Sequence, residues 1–230
     1  MDNIVGTGKG KVAYLVAAGP SLEDMLPHLN RLQNTGIIIC VGRVYKMLIA
    51  YGIRVDYVMS CEMFEWDSVI FDGLKDVGET VLCYPAVVAT ETIKKWPGWR
   101  MCLWDISSAE LLKRKKWMMG GNSVSHHVLN FAAEILDCET LIFIGQDLAY
   151  PKMRAHAEGA NHAFPEGIKQ HDESFHSQER WYPSNGKCKD FPDDCFRVEA
   201  MAQLKFPVGP VQVRTSQPYL DFLCLFEILL

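Results

Sequence analysis

Short apolar runs of strand length alternate along this chain with stretches of helical periodicity, and this alternation strongly constrains the fold. The runs at Val12–Ala18 and Thr140–Gly145 are typical of parallel strands covered on both faces. The predicted strands are residues 12–18, 36–41, 55–60, 80–84, 140–145 and 211–215. The predicted helices are residues 22–34, 43–52, 66–76, 89–96, 107–114, 123–137 and 219–230.

Strands and helices joined by short connections predict an α/β protein with a Rossmann-like three-layer αβα fold and a mostly parallel sheet. The region 150–210 departs from this pattern, because it has four histidines, many charged residues and few apolar runs. A stretch of this kind is typical of a functional lid or insertion. We therefore expect one domain over residues 1–230, with its core at about 11–150 and 208–230 and a lid-like insertion at about 151–207.

The composition excludes several classes of protein. A net charge of −5 argues against a nucleic-acid partner. No apolar stretch reaches the roughly 18 residues of a membrane helix, and the first residues lack the apolar core of a signal peptide. Eight cysteines occur without a CxxC pair, which is typical of a reduced protein. We expect a cytoplasmic protein with no membrane span; the sequence leaves a homo-oligomer open.

Ligands of open parallel sheets bind beyond the carboxyl ends of the strands, so the residues after each strand are candidate site residues. Those after the first, third and fifth strands are Gly19, Pro20, Ser21, Glu62, Gln146, Asp147 and Tyr150. Gly19 would allow a ligand close to the backbone. Ser21 would either cap the next helix or bond a phosphate. Glu62 could hold a ribose hydroxyl or a metal, or be a solvated loop acid. Asp147 could contact a hydroxyl or a metal, serve as a base or cap local backbone groups.

A second candidate site is the start of the predicted helix at 123–137. Its residues, two permissive glycines and two good helix caps, are Gly120, Gly121, Asn122 and Ser123. Such a helix start offers N–H groups to an anion. The apolar residues of the helix define one face at 100° per residue, and His126 falls almost opposite it. We therefore expect His126 to face solvent and His127 to lie on the flank.

Taken together, these motifs resemble the motility accessory factor family, whose relatives include the archaeal 6-hydroxymethylpterin diphosphokinases. The motifs that carry the resemblance are Gly19–Leu22, Gly120–Val124, Gly145–Tyr150, His156–Gly159 and the closing segment Val211–Thr215 with Tyr219, Phe222 and Glu227. The architecture is also similar to that of bacterial sialyltransferases, which have a comparable Gly-Pro-Ser-Leu turn. This chain has Glu62 where the family often has Asp.

The resemblance implies a sheet that binds a nucleotide. The nucleotide-binding residues that it implies are Gly19, Pro20, Ser21, Glu62, Gly120, Gly121, Asn122, Ser123 and Gln146. Asp147 and Tyr150 would border the reacting centre. A histidine suits the removal of an acceptor proton, and His156 and His162 follow Asp147 closely enough to reach it.

Two chemistries follow from the resemblance, and a non-catalytic role stays open beside them. The flagellar members are described as transferring nonulosonic, sialic-acid-like sugars from a CMP donor, and this glycosyltransferase reaction is our first hypothesis. The alternative is a diphosphokinase that uses ATP and Mg²⁺ on a pterin alcohol, with Glu62 and Asp147 as metal ligands. A nucleotide-binding protein without catalysis is the third. Mg²⁺ is the one cofactor considered, and the expected partner is a nucleotide or sugar-nucleotide.

Overall fold

A computed structural model of the chain describes residues 2–104, 110, 118, 121, 123–149, 156–160, 195–200 and 211–229. Its main sheet contains six parallel strands. They are β1 (Val12–Val16), β2 (Ile37–Val41), β3 (Tyr57–Met59), β4 (Val81–Pro85), β5 (Arg100–Leu103) and β6 (Thr140–Ile144). Two further strands, β7 (Cys195–Ala200) and β8 (Val211–Ser216), pair with each other in antiparallel fashion.

The order of the main sheet is β5-β4-β3-β2-β1-β6, so the chain moves outward from β1 to β5 and then returns to place β6 beside β1. Val16, at the end of β1, is paired with Cys40 of β2 on one side and with Ile144 of β6 on the other. The direction of the chain across the sheet therefore reverses at β1 and β6. In open α/β sheets this switch point is where ligands bind.

Helices cover both faces of the sheet. They are α1 (Leu22–Leu32), α2 (Gly42–Ala50), α3 (Thr90–Lys95), α4 (Val124–Asn130, continued as a π-helical turn over Phe131–Ile135) and α5 (Gln217–Leu229), with 3₁₀ turns at Asp2–Ile4 and Glu65–Phe71. Because connections between parallel strands are right-handed, the reversal after β5 puts α4 on the face opposite to α1, α2 and α3. The three-layer Rossmann-like fold predicted from the sequence is confirmed.

Aromatic contacts hold the layers on the sheet. On one face the Trp96 ring contacts those of Tyr45 and Phe71, with centroids 5.0 and 5.1 Å away. On the other face Tyr57 of β3 meets Phe131 at 5.1 Å. All but Tyr57 are fully buried. Aromatic rings in such numbers stabilise a core strongly, since each buries a large apolar area.

The predicted strands are all present, and their ends differ from the prediction by at most two residues. The edge strand β5 was not predicted, because it is short and its first residue, Arg100, is exposed. Strand β7 lies inside the predicted lid. The predicted helix at 66–76 is a 3₁₀ turn over Glu65–Phe71. The predicted helix at 107–114 falls, except for Glu110, outside the described residues.

Two further observations concern the helices and the cysteines of the described residues. None of their helices has both the length and the apolar character needed to cross a bilayer. The cysteines whose side chains are described are free thiols. Burial raises the pKa of the thiols of Cys40 and Cys83 well above its usual range, so these two side chains behave as small apolar residues.

The prediction that His126 faces solvent is wrong, because this side chain is fully buried. Helix α5 covers the side of α4 that the helical wheel left open, and the rings of His126 and Phe226 lie 4.2 Å apart. The Nε2–H of His126 donates to the carbonyl oxygen of Phe222 at 3.0 Å. The helical wheel failed because it considered only the apolar residues of α4 itself. The residue that covers His126 belongs to α5, 96 residues farther along the chain.

His126 also caps its own helix. Its Nδ1 accepts a hydrogen bond from the backbone N–H of Ser123 at 3.2 Å, and the Ser123 hydroxyl lies 3.1 Å from the same nitrogen. His126 thus takes the position that Glu or Gln takes in a capping box. Because Nε2 donates and Nδ1 accepts, the ring is neutral, and a proton on Nδ1 would break the bond to Ser123.

Burial lowers the pKa of His126; the bond to the Phe222 carbonyl opposes this shift, and the charge of His127 adds to it. Burial also lowers the pKa of His127, against the effect of its bond to the Ser123 carbonyl. A histidine with a depressed pKa contributes stability that is fully present above its unfolded pKa of about 6.5 and is lost as the pH falls through the folded value.

We predict that His126→Gln flattens the pH dependence of stability. Glutamine keeps an acceptor for the Ser123 N–H but does not titrate. Urea unfolding at about pH 7.5 and about pH 5.5 should show a larger loss of unfolding free energy in the wild type than in the variant, with His127 contributing to the loss that remains in the variant. At the higher pH the variant should be less stable by about 1–3 kcal/mol, because ring packing is lost. Equal acid losses in both proteins would contradict this prediction.

Candidate functional site

A cavity of about 180 Å³ opens at the carboxyl edge of the sheet, around the ends of β1 and β6. Residues after β1, β2, β3 and β6 line it together with the start of α4, part of α5 and one residue of the predicted lid. Of the residues predicted from the sequence, those that line it are Gly19, Glu62, Ser123, Gln146, Asp147 and His156. The cavity therefore brings together predicted site residues from five separate segments of the chain at the switch point.

Asp147, after β6, is tied to the start of α1. Its Oδ2 accepts the backbone N–H of Ser21 at 2.8 Å, and its Oδ1 accepts the Ser21 hydroxyl. Bonds of this kind to a carboxylate are charge-assisted and stronger than neutral ones. Ser21 therefore directs its donors at Asp147, and neither Ser21 nor the buried Pro20 lines the cavity.

Gly19 lies where the loops after β1 and β6 come closest. Its N–H donates to the carbonyl of Gly145 at 2.7 Å. A Cβ at Gly19 would stand 2.5 Å from that carbonyl oxygen and 2.7 Å from the carboxyl carbon of Asp147. Gly19 therefore cannot carry a side chain without colliding with Gly145 or Asp147. Because it has none, the loops after β1 and β6 pack together and form one wall of the cavity.

Arg43 is a lining residue that the sequence analysis missed. It is the second residue of α2, directly after β2, and its Nη2 lies 3.2 Å from Oε1 of Glu62 after β3. The two side chains are 26% and 16% exposed, so the pair is partly screened by the protein. The position of Arg43 just after a strand was the signal that could have identified it, by the same rule that selected Glu62 and Asp147.

The start of α4 supplies the cavity with Ser123. The neighbouring Gly121 packs against His126 instead, since a Cβ there would lie 2.3 Å from the Cβ of His126. The predicted site residues that lie outside the described residues are Gly120, Asn122, Tyr150 and His162. Their predicted roles stay predictions.

Helix α5 closes one side of the cavity with Tyr219 and Phe222. The centroids of these two rings are 6.2 Å apart. Both residues belong to the closing segment that carried part of the resemblance, but sequence alone could not place that segment against β1 and β6. The bond from His126 to the Phe222 carbonyl holds this wall to α4.

The described lining of the cavity combines one guanidinium, two carboxylates, two serine hydroxyls, an amide and an imidazole with an aromatic wall that carries the Tyr219 phenol. A guanidinium binds phosphate or carboxylate groups, and an imidazole can move a proton near neutral pH. The described residues do not form a ready site for Mg²⁺. No group of three His, Cys, Asp or Glu side chains lies together among them, Asp147 is engaged by Ser21, and Glu62 by Arg43.

Comparisons with known proteins agree with the motifs. A family model described as 6-hydroxymethylpterin diphosphokinase MptE-like matches residues 1–153. Among solved structures, the chain is similar to the MAf glycosyltransferase from Magnetospirillum magneticum AMB-1, with 17% identity and a TM-score of 0.61. That match covers 93% of this chain and 28% of the glycosyltransferase, so the likeness shows a shared fold. No curated protein matches the chain significantly.

These matches confirm the resemblance drawn from the sequence motifs. The family model spans 153 of the 230 residues, which is about two thirds of the chain. The chain therefore belongs to the 6-hydroxymethylpterin diphosphokinase MptE-like family.

Proposed function

We propose that this chain is a nucleotide-dependent transferase, and that it moves a nonulosonic sugar from a CMP donor bound in the switch-point cavity. The observation that carries this proposal is the charge of the cavity. Among the described residues that line it, Arg43 is the one guanidinium or ammonium group, and it stands with the carboxylates of Glu62 and Asp147. One guanidinium suits the single phosphodiester of a CMP-sugar better than the several charges of a triphosphate.

The family match supports a second candidate, a diphosphokinase that uses ATP with Mg²⁺. In that reaction Glu62 and Asp147 would be the metal ligands, together with phosphate oxygens of the substrate. Both carboxylates already have partners, so binding a metal would require Glu62 to leave Arg43 or Asp147 to leave Ser21. For this reason the glycosyl reaction is the better supported of the two.

In the proposed reaction His156 is the general base. An imidazole nitrogen takes the proton of the acceptor hydroxyl while the acceptor oxygen bonds to the anomeric carbon of the sugar. The bond from that carbon to the phosphate oxygen breaks, and CMP leaves with the electron pair. Arg43 stabilises the charge on the departing phosphate, as preorganised donors do in enzyme sites. Asp147, held by Ser21, orients the reacting groups.

A thermal-shift titration with CMP, CDP and ATP, each with and without Mg²⁺, tests the choice of donor. We expect CMP alone to raise Tm by roughly 5–10 °C at a concentration about 100-fold above Kd. A response to ATP that depends on Mg²⁺ would favour the diphosphokinase. Stabilisation by CMP without turnover of a CMP-sugar would favour the non-catalytic role, and no response to any nucleotide would reject all three.

We predict that Arg43→Gln weakens the binding of CMP about 10- to 100-fold, as expected for the loss of a hydrogen bond from a charged donor. Cytidine, which has no phosphate, should bind the variant and the wild type equally. Isothermal titration calorimetry measures both affinities. The matched control is Arg31→Gln, on the exposed surface of α1. If Arg43→Gln and Arg31→Gln bind CMP alike, Arg43 is not the phosphate ligand.

We predict that His156→Asn lowers kcat for CMP release about 10²- to 10⁴-fold, the usual contribution of a general base. The affinity for CMP should change little, because the base acts on the acceptor. CMP released from a CMP-activated nonulosonic acid, to water or to an acceptor, can be quantified by chromatography. His28→Asn, at an exposed position of α1, is the control. An unchanged kcat in His156→Asn would remove His156 from the mechanism.

A further inference from the structure

Five described residues of the predicted lid, His156–Ala160, form a short segment against the cavity, which we call the strap. Its first residue, His156, lines the cavity. Ala157 and Ala160 are 3% and 7% exposed and belong to the main hydrophobic core. Between them the strap turns through Gly159, at a φ of +85°, and the N–H of Ala160 donates to the carbonyl of Ala157.

Two consecutive backbone amides attach the strap to the structure beneath it. The N–H of Ala157 donates to the carbonyl of Ala18, just after β1, at 2.8 Å. The N–H of Glu158 donates to Oε1 of Glu23, in the first turn of α1, at 2.6 Å. The second bond is short and goes to a carboxylate, so it is the stronger type of anchor.

Glu23 does not line the cavity, but it holds Glu158, which is two residues after the lining residue His156. Fixing the amides of residues 157 and 158 restricts the backbone of the preceding His156, and therefore the positions its ring can reach, because only two soft backbone dihedrals per residue separate them. We propose that Glu23 is a positioning residue that directs the imidazole of His156 into the cavity. The catalytic consequence rests on the proposed function, in which His156 is the base.

The first turn of α1 thereby acts on two loops of the site. Ser21 bonds Asp147 and Glu23 bonds the strap, although neither side chain lies on the cavity wall. The Gly19–Glu23 turn, whose sequence suggests a direct phosphate contact, thus orients the two residues that border the reaction. Loss of a hydrogen bond to a charged group changes a local equilibrium about 10- to 100-fold, which is enough to make this part of the strap open more often.

The test compares Glu23→Ala with Glu23→Gln in the full chain. Glutamine keeps an oxygen that can accept the Glu158 N–H, whereas alanine removes it. Asp24→Ala is the matched control, since Asp24 is the neighbouring acid in the first turn of α1 and is exposed. Hydrogen exchange of the peptide that contains residues 156–160 reports strap anchoring, and CMP release and CMP titration report kcat and Kd.

For Glu23→Ala we expect strap amides to exchange about 10- to 100-fold faster and kcat to fall at least about tenfold, with the Kd of CMP within about twofold of wild type. Glu23→Gln should restore both exchange and kcat most of the way, and Asp24→Ala should resemble the wild type. Unchanged exchange in Glu23→Ala would overturn the inference, as would faster exchange with an unchanged kcat.

Failure of the proposed function is a separate result. If the wild type neither binds CMP nor releases it from a CMP-sugar, that function is rejected, and the exchange experiment decides the structural inference by itself. Faster exchange in Glu23→Ala that Glu23→Gln reverses would then still support Glu23 as the anchor that places His156. Exchange that is equal in all variants would overturn it.

Discussion

The carboxylate of Asp147 joins the two loops on which the candidate site depends. It accepts the backbone N–H and the hydroxyl of Ser21, so the segment after β6 is fixed to the first turn of α1. The Gly19 and Gly145 backbones can approach within hydrogen-bonding distance because Gly19 has no side chain to collide with them. Without the bonds from Ser21 to Asp147, β1 and β6 would still pair and Gly19 would still bond Gly145, but the Asp147 side chain would lose its fixed position at the cavity.

The hydrogen-bond and ion-pair partners of Glu62 and Asp147 also affect whether the cavity can accept an anionic ligand. Two bare carboxylates beside a phosphate would repel it, and repulsion of that kind is strong where water is excluded. Here the N–H and hydroxyl donors of Ser21 offset the charge of Asp147, and the guanidinium of Arg43 offsets that of Glu62. The arrangement therefore reduces the cost of bringing an anionic donor into a cavity that contains two acids, and it does so with side chains from four different strand ends.

The sequence predicted most of the strands and the residues that follow them, which depend on local pattern. It did not predict contacts between residues that are distant along the chain. Apolar runs located the strands to within two residues, and the rule that ligands bind after parallel strands selected Glu62, Asp147 and Gln146, which do meet at one cavity. The same pattern misjudged His126, because a helical wheel cannot include the covering surface of α5 from elsewhere in the chain. Ser21 was predicted either to cap the helix or to bond a phosphate. Its hydroxyl instead bonds Asp147, a partner that local sequence cannot reveal because it is 126 residues away.

Under the proposed function, the size of the cavity limits which part of the donor these residues can contact. About 180 Å³ is below the roughly 300–1,000 Å³ of typical ligand sites, so the described walls enclose only one portion of a sugar-nucleotide. In the proposed reaction, Arg43 stabilises the phosphate. His156 takes the proton of the acceptor that bonds to the reacting carbon, while Asp147 is held in place by Ser21. Under the proposed function, the cavity would therefore hold the reacting end of the donor. Since Arg43 is the one guanidinium among the described lining residues, these residues would distinguish donors in that reaction by the number of their phosphates more than by their base.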